Sequence, residues 1–172
     1  MPDTPESDQP LVAEAVRLEG LAALRDAALE LAGAASRELA IFSYELEPAL
    51  YDNAAFAEAV SRIARSGRRA RVRLLIREHD RLIKHGHQLI RLAHQLPSYI
   101  EIRLVAQEYR HTTHGYLVAD DGGVLYQPQS DAFQAKTSAR DRRWARDLLA
   151  EFQRLWDHAT PDPQLRRLHL AG

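Results

Sequence analysis

The segment Arg71-Val-Arg-Leu-Leu-Ile-Arg77 has the clearest strand pattern in this 172-residue chain. Its apolar residues alternate with arginine, except at Leu75. Alternation with a period of two residues is typical of a β-strand that presents one face to a core. The polar face indicates either cross-strand pairing on a solvated edge, such as Arg73 with Glu101, or arginines that line a cleft.

Helical patterns lie on both sides of this strand. Upstream, apolar residues recur at helical spacing from Asn53, a suitable N-cap, to Ser66, and Gly67 follows as a terminator. Downstream, a similar pattern covers residues 80–96 and stops at Pro97, which cannot continue a helix. The strand is therefore expected to lie between two helices.

The same alternation of strands and helices extends along most of the chain. The other predicted elements are a strand at 11–18, a helix at 20–35, strands at 39–46 and 99–105, a hairpin at 115–127 and a helix at 139–159. Strands separated by helices form parallel sheets with right-handed crossovers. The sequence predicts one α/β domain over 11–160, with a mostly parallel sheet, flanking helices, a late β-hairpin and a long C-terminal helix. Residues 1–10 and 161–172 are expected to be tails.

The composition of the chain excludes several kinds of chemistry. There is no cysteine, which removes disulfides and thiolate catalysis and fits a reducing, cytoplasmic location. The acidic start lacks the pattern of a secretory signal, and no apolar stretch approaches the length of a membrane span. The eight histidines form no recognised ligand spacing, and no phosphate-binding glycine loop is present. We therefore predict no metal and no cofactor.

Charge is distributed unevenly along the chain. Residues 1–60 carry a net charge of −9, whereas residues 61–110 hold 12 basic and 4 acidic residues, a net charge of +8. Arginine can hold phosphate oxygens through two parallel hydrogen bonds, so the basic segment predicts an anion site. Its candidate residues are Arg68, Arg69, Arg71 and Arg73. The alternative is an ordinary solvated surface, and the isoelectric point near 6.7 does not indicate a dedicated nucleic-acid binder.

The order of the elements, and the text of several of them, resembles the phospholipase-D-like superfamily. Residues 72–76 and 99–103 carry part of the resemblance, followed by a histidine that opens the hairpin and a long final helix. The signature of that family is His-x-Lys and then, after four intervening residues, Asp. His114 and Asp121 match its histidine and aspartate, whereas Tyr116 stands at the position of its lysine.

The resemblance implies a role for each matched position. The family's histidine is the phosphate nucleophile or general acid, its lysine neutralises phosphate oxygens, and its aspartate supports the site. A Gly-Ser-x-Asn segment usually follows, but here Pro128-Gln-Ser-Asp131 keeps neither the glycine nor the asparagine. Family enzymes combine two motifs in one active site, so activity in this chain would require a homodimer. Tyrosine brings no positive charge, and losing one donor at a developing charge costs about 3–4 kcal/mol.

Three functions are compatible with these observations. The missing lysine favours a non-catalytic binding or regulatory module, whose ligand is an anion such as a phosphate-bearing polymer or nucleic acid held by residues 62–91. One alternative is a homodimeric phosphodiesterase that uses His114. Another is a protein-interaction domain, in which exposed Leu165, Leu168 and Leu170 dock on a partner or a second subunit. The simplest interpretation of the motif is an ordinary hairpin histidine.

A closer resemblance is to an uncharacterised proteobacterial domain family that is sometimes joined behind a GNAT-type acetyltransferase. Residues 42–46, 51–56, 96–100 and 161–168 carry this resemblance. It implies no known activity.

Overall fold

The computed structural model describes residues 15–167, with side chains described through residue 165. Within this range eight strands form one sheet: β1 (Val16–Glu19), β2 (Glu38–Ser43), β3 (Arg71–Ile76), β4 (Ile100–Leu104), β5 (Gly115–Ala119), β6 (Gly123–Gln127), β7 (Gln134–Ser138) and β8 (Thr160–Pro161). The helices are α1 (Leu21–Ala34), α2 (Pro48–Tyr51), α3 (Ala54–Ala64), α4 (Asp80–His85), α5 (Gln88–Gln95), α6 (Arg142–His158) and α7 (Pro163–Arg167).

The sheet is mixed, which corrects the expectation of a mostly parallel sheet. Its strand order is β1-β7-β6-β5-β2-β3-β4-β8, and among the described strands only β2–β3 and β3–β4 pair in parallel. These are the pairs whose connections contain helices, as a parallel crossover requires. The connections between β5, β6 and β7 are short, so these strands form an antiparallel meander beside β2.

Strand β7 was not predicted from the sequence, because its inward positions are small. Only Ala135 and Ser138 of this strand are buried, and Gln134 and Lys136 are exposed. The predicted first strand begins later than expected, at Val16, and its residues 11–14 lie outside the described part of the chain.

Helices cover both faces of the sheet. On one face α1, α3 and α5 pack over a core that includes Ile41 and Leu74. On the other face α6 packs over a second core, in which Phe42, Leu75 and Phe152 are buried together. The long C-terminal helix predicted from the sequence is therefore α6, and Asp141 caps it by accepting a hydrogen bond from the backbone N–H of Trp144.

Arg73 explains why one face of β3 has a polar pattern. Its guanidinium lies 4.8 Å from the ring centroid of Phe152 and donates to Gln153 over 2.7 Å. Burial lowers the pKa of Arg73 to about 10. Glu101 is its register partner but bonds to Arg103 instead. Arg73 is covered by α6, which corrects the expectation of an Arg73–Glu101 pair on a solvated edge.

The helix predicted over 80–96 is two helices, with a break at Gly86 and His87. Gly86 has φ of +71°, a conformation that glycine adopts without steric cost. The buried His87 accepts from the backbone N–H of Leu89 through Nδ1 and so caps α5, while its Nε2 bonds to the carbonyl oxygen of Leu46. These contacts stabilise the break between α4 and α5. The apolar periodicity continues across the break, which is why the sequence predicted one helix.

The segment after α6 packs on the domain. Strand β8 pairs with β4, and Leu165 in α7 is 3% exposed. This corrects the expectation that Leu165 is an exposed docking residue of a tail; Leu168 and Leu170 lie outside the described residues. Every helix between residues 15 and 167 is too short or too polar to traverse a bilayer.

Candidate functional site

The motif histidine lies at the edge of the sheet where β2 and β3 end. His114 directly precedes β5, which is antiparallel to β2, so the start of β5 lies beside the end of β2. Tyr116 of β5 is in register with Phe42 of β2. Because ligands of open α/β sheets usually bind at the carboxyl ends of parallel strands, this edge is the natural place for a site.

Glu151 joins the first two motif positions. Its Oε1 lies 2.7 Å from Nε2 of His114 and accepts a hydrogen bond of 2.9 Å from the hydroxyl of Tyr116. That hydroxyl is also 3.2 Å from the carbonyl oxygen of Leu148, one helical turn before Glu151 on α6. One carboxylate oxygen thus serves both the histidine and the tyrosine.

Aromatic rings hold the His114 imidazole in place. Phe42 approaches it edge-on with a centroid distance of 5.5 Å, and Tyr116 and Tyr126 each stack near it at 6.0 Å. The side chain of His114 is 23% exposed and that of Glu151 is 29% exposed, so the pair can be reached by solvent. Tyr116 is 1% exposed and belongs to the core beneath them.

The protonation of these groups follows from their contacts. Burial raises the pKa of the Tyr116 phenol far above its usual range, and the charge of Glu151 raises it further. The hydrogen bond from His114 lowers the pKa of Glu151, with a further contribution from the Tyr116 hydroxyl, against the opposing effect of burial. Tyr116 therefore stays neutral and Glu151 stays ionised, which leaves negative charge beside the histidine.

Arg77 lies beneath the same edge and holds the backbone around His114. It is 3% exposed and donates to the carbonyl oxygen of His114 over 2.6 Å and to the hydroxyl of Ser130 over 2.7 Å. Its guanidinium also lies 5.0 Å from the ring centroid of Phe42, and burial lowers its pKa. Its terminal nitrogens are thus committed to the protein.

Asp121, the third motif residue, lies at the other end of β5 from His114. Its side chain is 80% exposed and comes within 3.7 Å of Arg142. The neighbouring Asp120 has the internal contacts: its carboxylate accepts from the backbone N–H groups of residues 36, 37 and 38. These bonds fix the start of β2 against the end of β5.

The four arginines proposed as an anion site do not form one cleft. Arg73 is buried under α6, whereas Arg68, Arg69 and Arg71 are exposed at the start of β3, the edge opposite His114. Arg62 uses one nitrogen to cap the end of α1, donating to carbonyl oxygens that include those of Ala32 and Ala35. The basic segment 62–91 is therefore divided between different surfaces.

Sequence reasoning missed Glu151, Arg77 and Asp120. Glu151 follows Leu148 by three residues on α6, so the helical period could place both on one face. Nothing in the sequence pairs that face with the hairpin. The role of Asp120 was missed because Asp120 and Asp121 both suit a turn, and the motif pointed to Asp121.

Comparison with solved structures shows a phospholipase-D-like fold. The matches include Nuc, a phospholipase D family member from Salmonella typhimurium, at 14% identity and a TM-score of 0.59, covering 87% of this chain and 99% of that chain. NucT from Helicobacter pylori matches at 14% identity and a TM-score of 0.62, with the same coverage.

A third match is TrmBL2, an archaeal chromatin protein whose structure shows a novel mode of DNA binding. It has 14% identity and a TM-score of 0.63, and covers 92% of this chain. The chain spans 57% of the length of TrmBL2. No curated protein matches the sequence. The chain belongs to the family described as Domain of unknown function (DUF7931), which matches residues 20–168.

Proposed function

We propose that this chain is a non-catalytic phospholipase-D-like module that binds a phosphate-bearing ligand at a surface other than the edge around His114. The observation that carries this proposal is the shared carboxylate of Glu151. It accepts from the buried phenol at the lysine position and also contacts Nε2 of the motif histidine. A phosphodiesterase of this fold would place a positive charge at the lysine position, whereas this chain has a neutral phenol there that donates to a carboxylate.

Phosphoryl transfer needs cationic groups around the phosphate oxygens as charge develops on them. Tyr116 is neutral and 1% exposed, so it supplies neither charge nor contact to a bound phosphate. Arg77 is close in space, but its terminal nitrogens bond to His114 and Ser130. A phosphate that approached His114 would also meet the Glu151 carboxylate.

A homodimeric phosphodiesterase that uses His114 is the competing function. A carboxylate bonded to one nitrogen of an imidazole orients the ring, as the aspartate of a catalytic triad does for its general base. The other nitrogen of such a ring can act as a nucleophile. The His114–Glu151 pair has this geometry. The lysine position, however, holds the neutral Tyr116 and not a cation. A homodimer would contain this substitution twice.

Two observations support a phosphate-bearing ligand: the exposed arginines of this chain and its similarity in fold to TrmBL2. Exposed arginines are numerous among the described residues, and their planar guanidinium groups can bind phosphate through two parallel hydrogen bonds. TrmBL2 binds DNA, which favours a polymeric phosphate ligand for this chain as well. Homodimerisation and fusion to an acetyltransferase stay predictions of the resemblances.

NMR of the imidazole nitrogens of His114 tests the proposal. Dimethyl phosphate is added to 15N-histidine-labelled protein, and a His114→Gln sample assigns the signals. We expect the His114 signals to stay unchanged at millimolar phosphodiester. Saturable shifts of these signals would show that the His114 edge binds phosphate and would overturn the proposal.

A further inference from the structure

The edge of the sheet opposite His114 gathers arginines from separate parts of the chain. We call this surface the basic rim; its members are Arg37, Arg68, Arg69, Arg71, Arg140, Arg142 and Arg143, all exposed. Arg37 directly precedes β2, and its carbonyl oxygen accepts from the backbone N–H of Arg71 at the start of β3. Two segments of the rim are therefore hydrogen-bonded neighbours.

The third segment reaches the rim through the β5–β6 turn. The backbone N–H of Asp141 donates to the carbonyl oxygen of Gly122 in that turn, which places Arg140 and Arg142 beside it. Strands β6, β5, β2 and β3 are adjacent in the sheet. With neighbouring strands about 4.8 Å apart, the rim extends over about 15 Å.

Three of the four carboxylates at this edge are in contact with other groups of the protein. Asp120 accepts three backbone N–H groups, and Asp141 caps α6. Asp121 lies 3.7 Å from Arg142, and Glu38 is the register partner of Arg71. Seven arginines thus face four carboxylates, and the exposed charge of the rim is positive.

We propose that the basic rim binds the phosphate backbone of a nucleic acid. Each cation of the rim is arginine, whose planar guanidinium matches phosphate geometry through two hydrogen bonds. Several guanidinium groups along about 15 Å suit successive phosphates of a polymer better than one small anion. This inference rests on the proposed function only in treating the chain as a binding module, since the rim and the His114 edge are separate surfaces.

An anionic membrane is the other polyanion that such a surface would attract. Membrane-surface binding usually adds apolar side chains that enter the lipid. The large hydrophobic side chains exposed within residues 15–165 are Val16, Tyr44 and Phe133. Tyr44 follows the carboxyl end of β2, away from the rim, and Val16 lies in β1, two strands beyond β6. The rim itself is polar, which favours nucleic acid.

Fluorescence anisotropy with labelled DNA duplex and single strand, measured over a salt series, tests the proposal. The rim variant combines Arg68→Gln, Arg69→Gln and Arg71→Gln. A second rim variant combines Arg140→Gln and Arg142→Gln from another segment. The matched control combines Arg81→Gln, Lys84→Gln and Arg91→Gln on α4 and α5, with the same change in net charge as the triple rim variant.

We expect wild-type protein to bind at low salt and to weaken as salt increases. The triple rim variant should bind roughly tenfold more weakly or worse, with a shallower salt slope by about one unit for each lost phosphate contact. The second rim variant should weaken binding in the same direction, and the control should stay within about twofold of wild type. Thermal unfolding confirms that each variant is folded.

Several results would overturn the proposal. These are no binding by wild type at low salt, an equal loss in the control, a loss in the control alone, or binding to phosphatidylglycerol vesicles without binding to DNA. Hydrolysis of a phosphodiester by wild type would instead contradict the proposed function and leave the rim intact.

Discussion

Oε1 of Glu151 on α6 lies 2.7 Å from Nε2 of His114 and 2.9 Å from the hydroxyl of Tyr116 at the start of β5. The contact ties the long helix to the strand that carries the degenerate motif. A carboxylate that accepts from a buried phenol is expected to stabilise the fold, since removing it leaves a buried donor without a partner. The contact of Glu151 with His114 and Tyr116 therefore has a structural role.

Replacing Glu151 measures that stabilisation. Glu151→Ala is expected to reduce the free energy of unfolding by about 1–3 kcal/mol, because the Tyr116 hydroxyl keeps only its long contact to Leu148. Urea denaturation gives the value. Asp147→Ala, at an exposed position of the same helix, is the control and should change stability by less than about 0.5 kcal/mol. Equal effects would show that the pair contributes nothing special.

The tyrosine can be tested without changing its volume. Tyr116→Phe keeps the ring and removes the hydroxyl that donates to Glu151, so we expect a loss of about 1 kcal/mol in urea denaturation. Tyr126→Phe, whose ring is half-buried, serves as the comparison and should lose less. If Tyr116→Phe is neutral or stabilising, the hydroxyl is not what holds this residue in place.

The two adjacent aspartates should differ sharply. Asp120→Ala removes an acceptor of three backbone N–H groups, so we expect a loss of about 2–4 kcal/mol, whereas Asp121→Ala should cost less than about 0.5 kcal/mol. Although partial burial opposes it, the amide donors hold the pKa of Asp120 below 3.8. The advantage of wild type over Asp120→Ala is therefore present above about pH 4 and lost as pH falls through the lowered pKa. A loss that does not depend on pH would contradict this origin.

Glu47 predicts a pH dependence of the opposite sign. Its Oε2 accepts from Ser43, but within the described structure its buried Oε1 has no hydrogen-bond partner, and burial raises its pKa above 4.5. Ionisation is therefore disfavoured in the folded state, and wild type loses stability as pH rises above about 4.5. We expect Glu47→Gln to be more stable than wild type at pH 7, with the difference vanishing near pH 4. Unfolding curves at both pH values check this, and no gain at pH 7 would contradict it.

Much of the fold could be predicted because local patterns agree with it. The strands at 71–76 and 100–104, the Asn53 cap and the final helix all follow from period and capping chemistry. The main error concerned strand direction. The sequence shows where the strands lie, but it does not show that β5, β6 and β7 pair antiparallel with their neighbours. The break at Gly86 was missed because His87 holds it partly through the carbonyl oxygen of Leu46, which is distant in sequence.

The candidate site was only partly predictable. His114 and Tyr116 were found through a motif. Their shared contact with Glu151 could not be predicted, because Glu151 lies 37 residues beyond His114 on another element. The arginine run predicted an anion site from proximity in sequence. The fold separates Arg73 from Arg71 because α6 covers Arg73, whereas Arg71 at the first position of β3 stays exposed. It also brings in Arg140 and Arg142 from far along the chain.

The most direct measurement of the central claim is the hydrolysis of bis(p-nitrophenyl) phosphate by wild-type protein, His114→Ala and Tyr116→Lys, at protein concentrations that would allow a dimer. We predict that wild type and His114→Ala hydrolyse it at the same background rate, because the lysine position of the motif holds Tyr116, which is neutral and buried. Hydrolysis by wild type that disappears in His114→Ala would contradict the account and establish a phosphodiesterase.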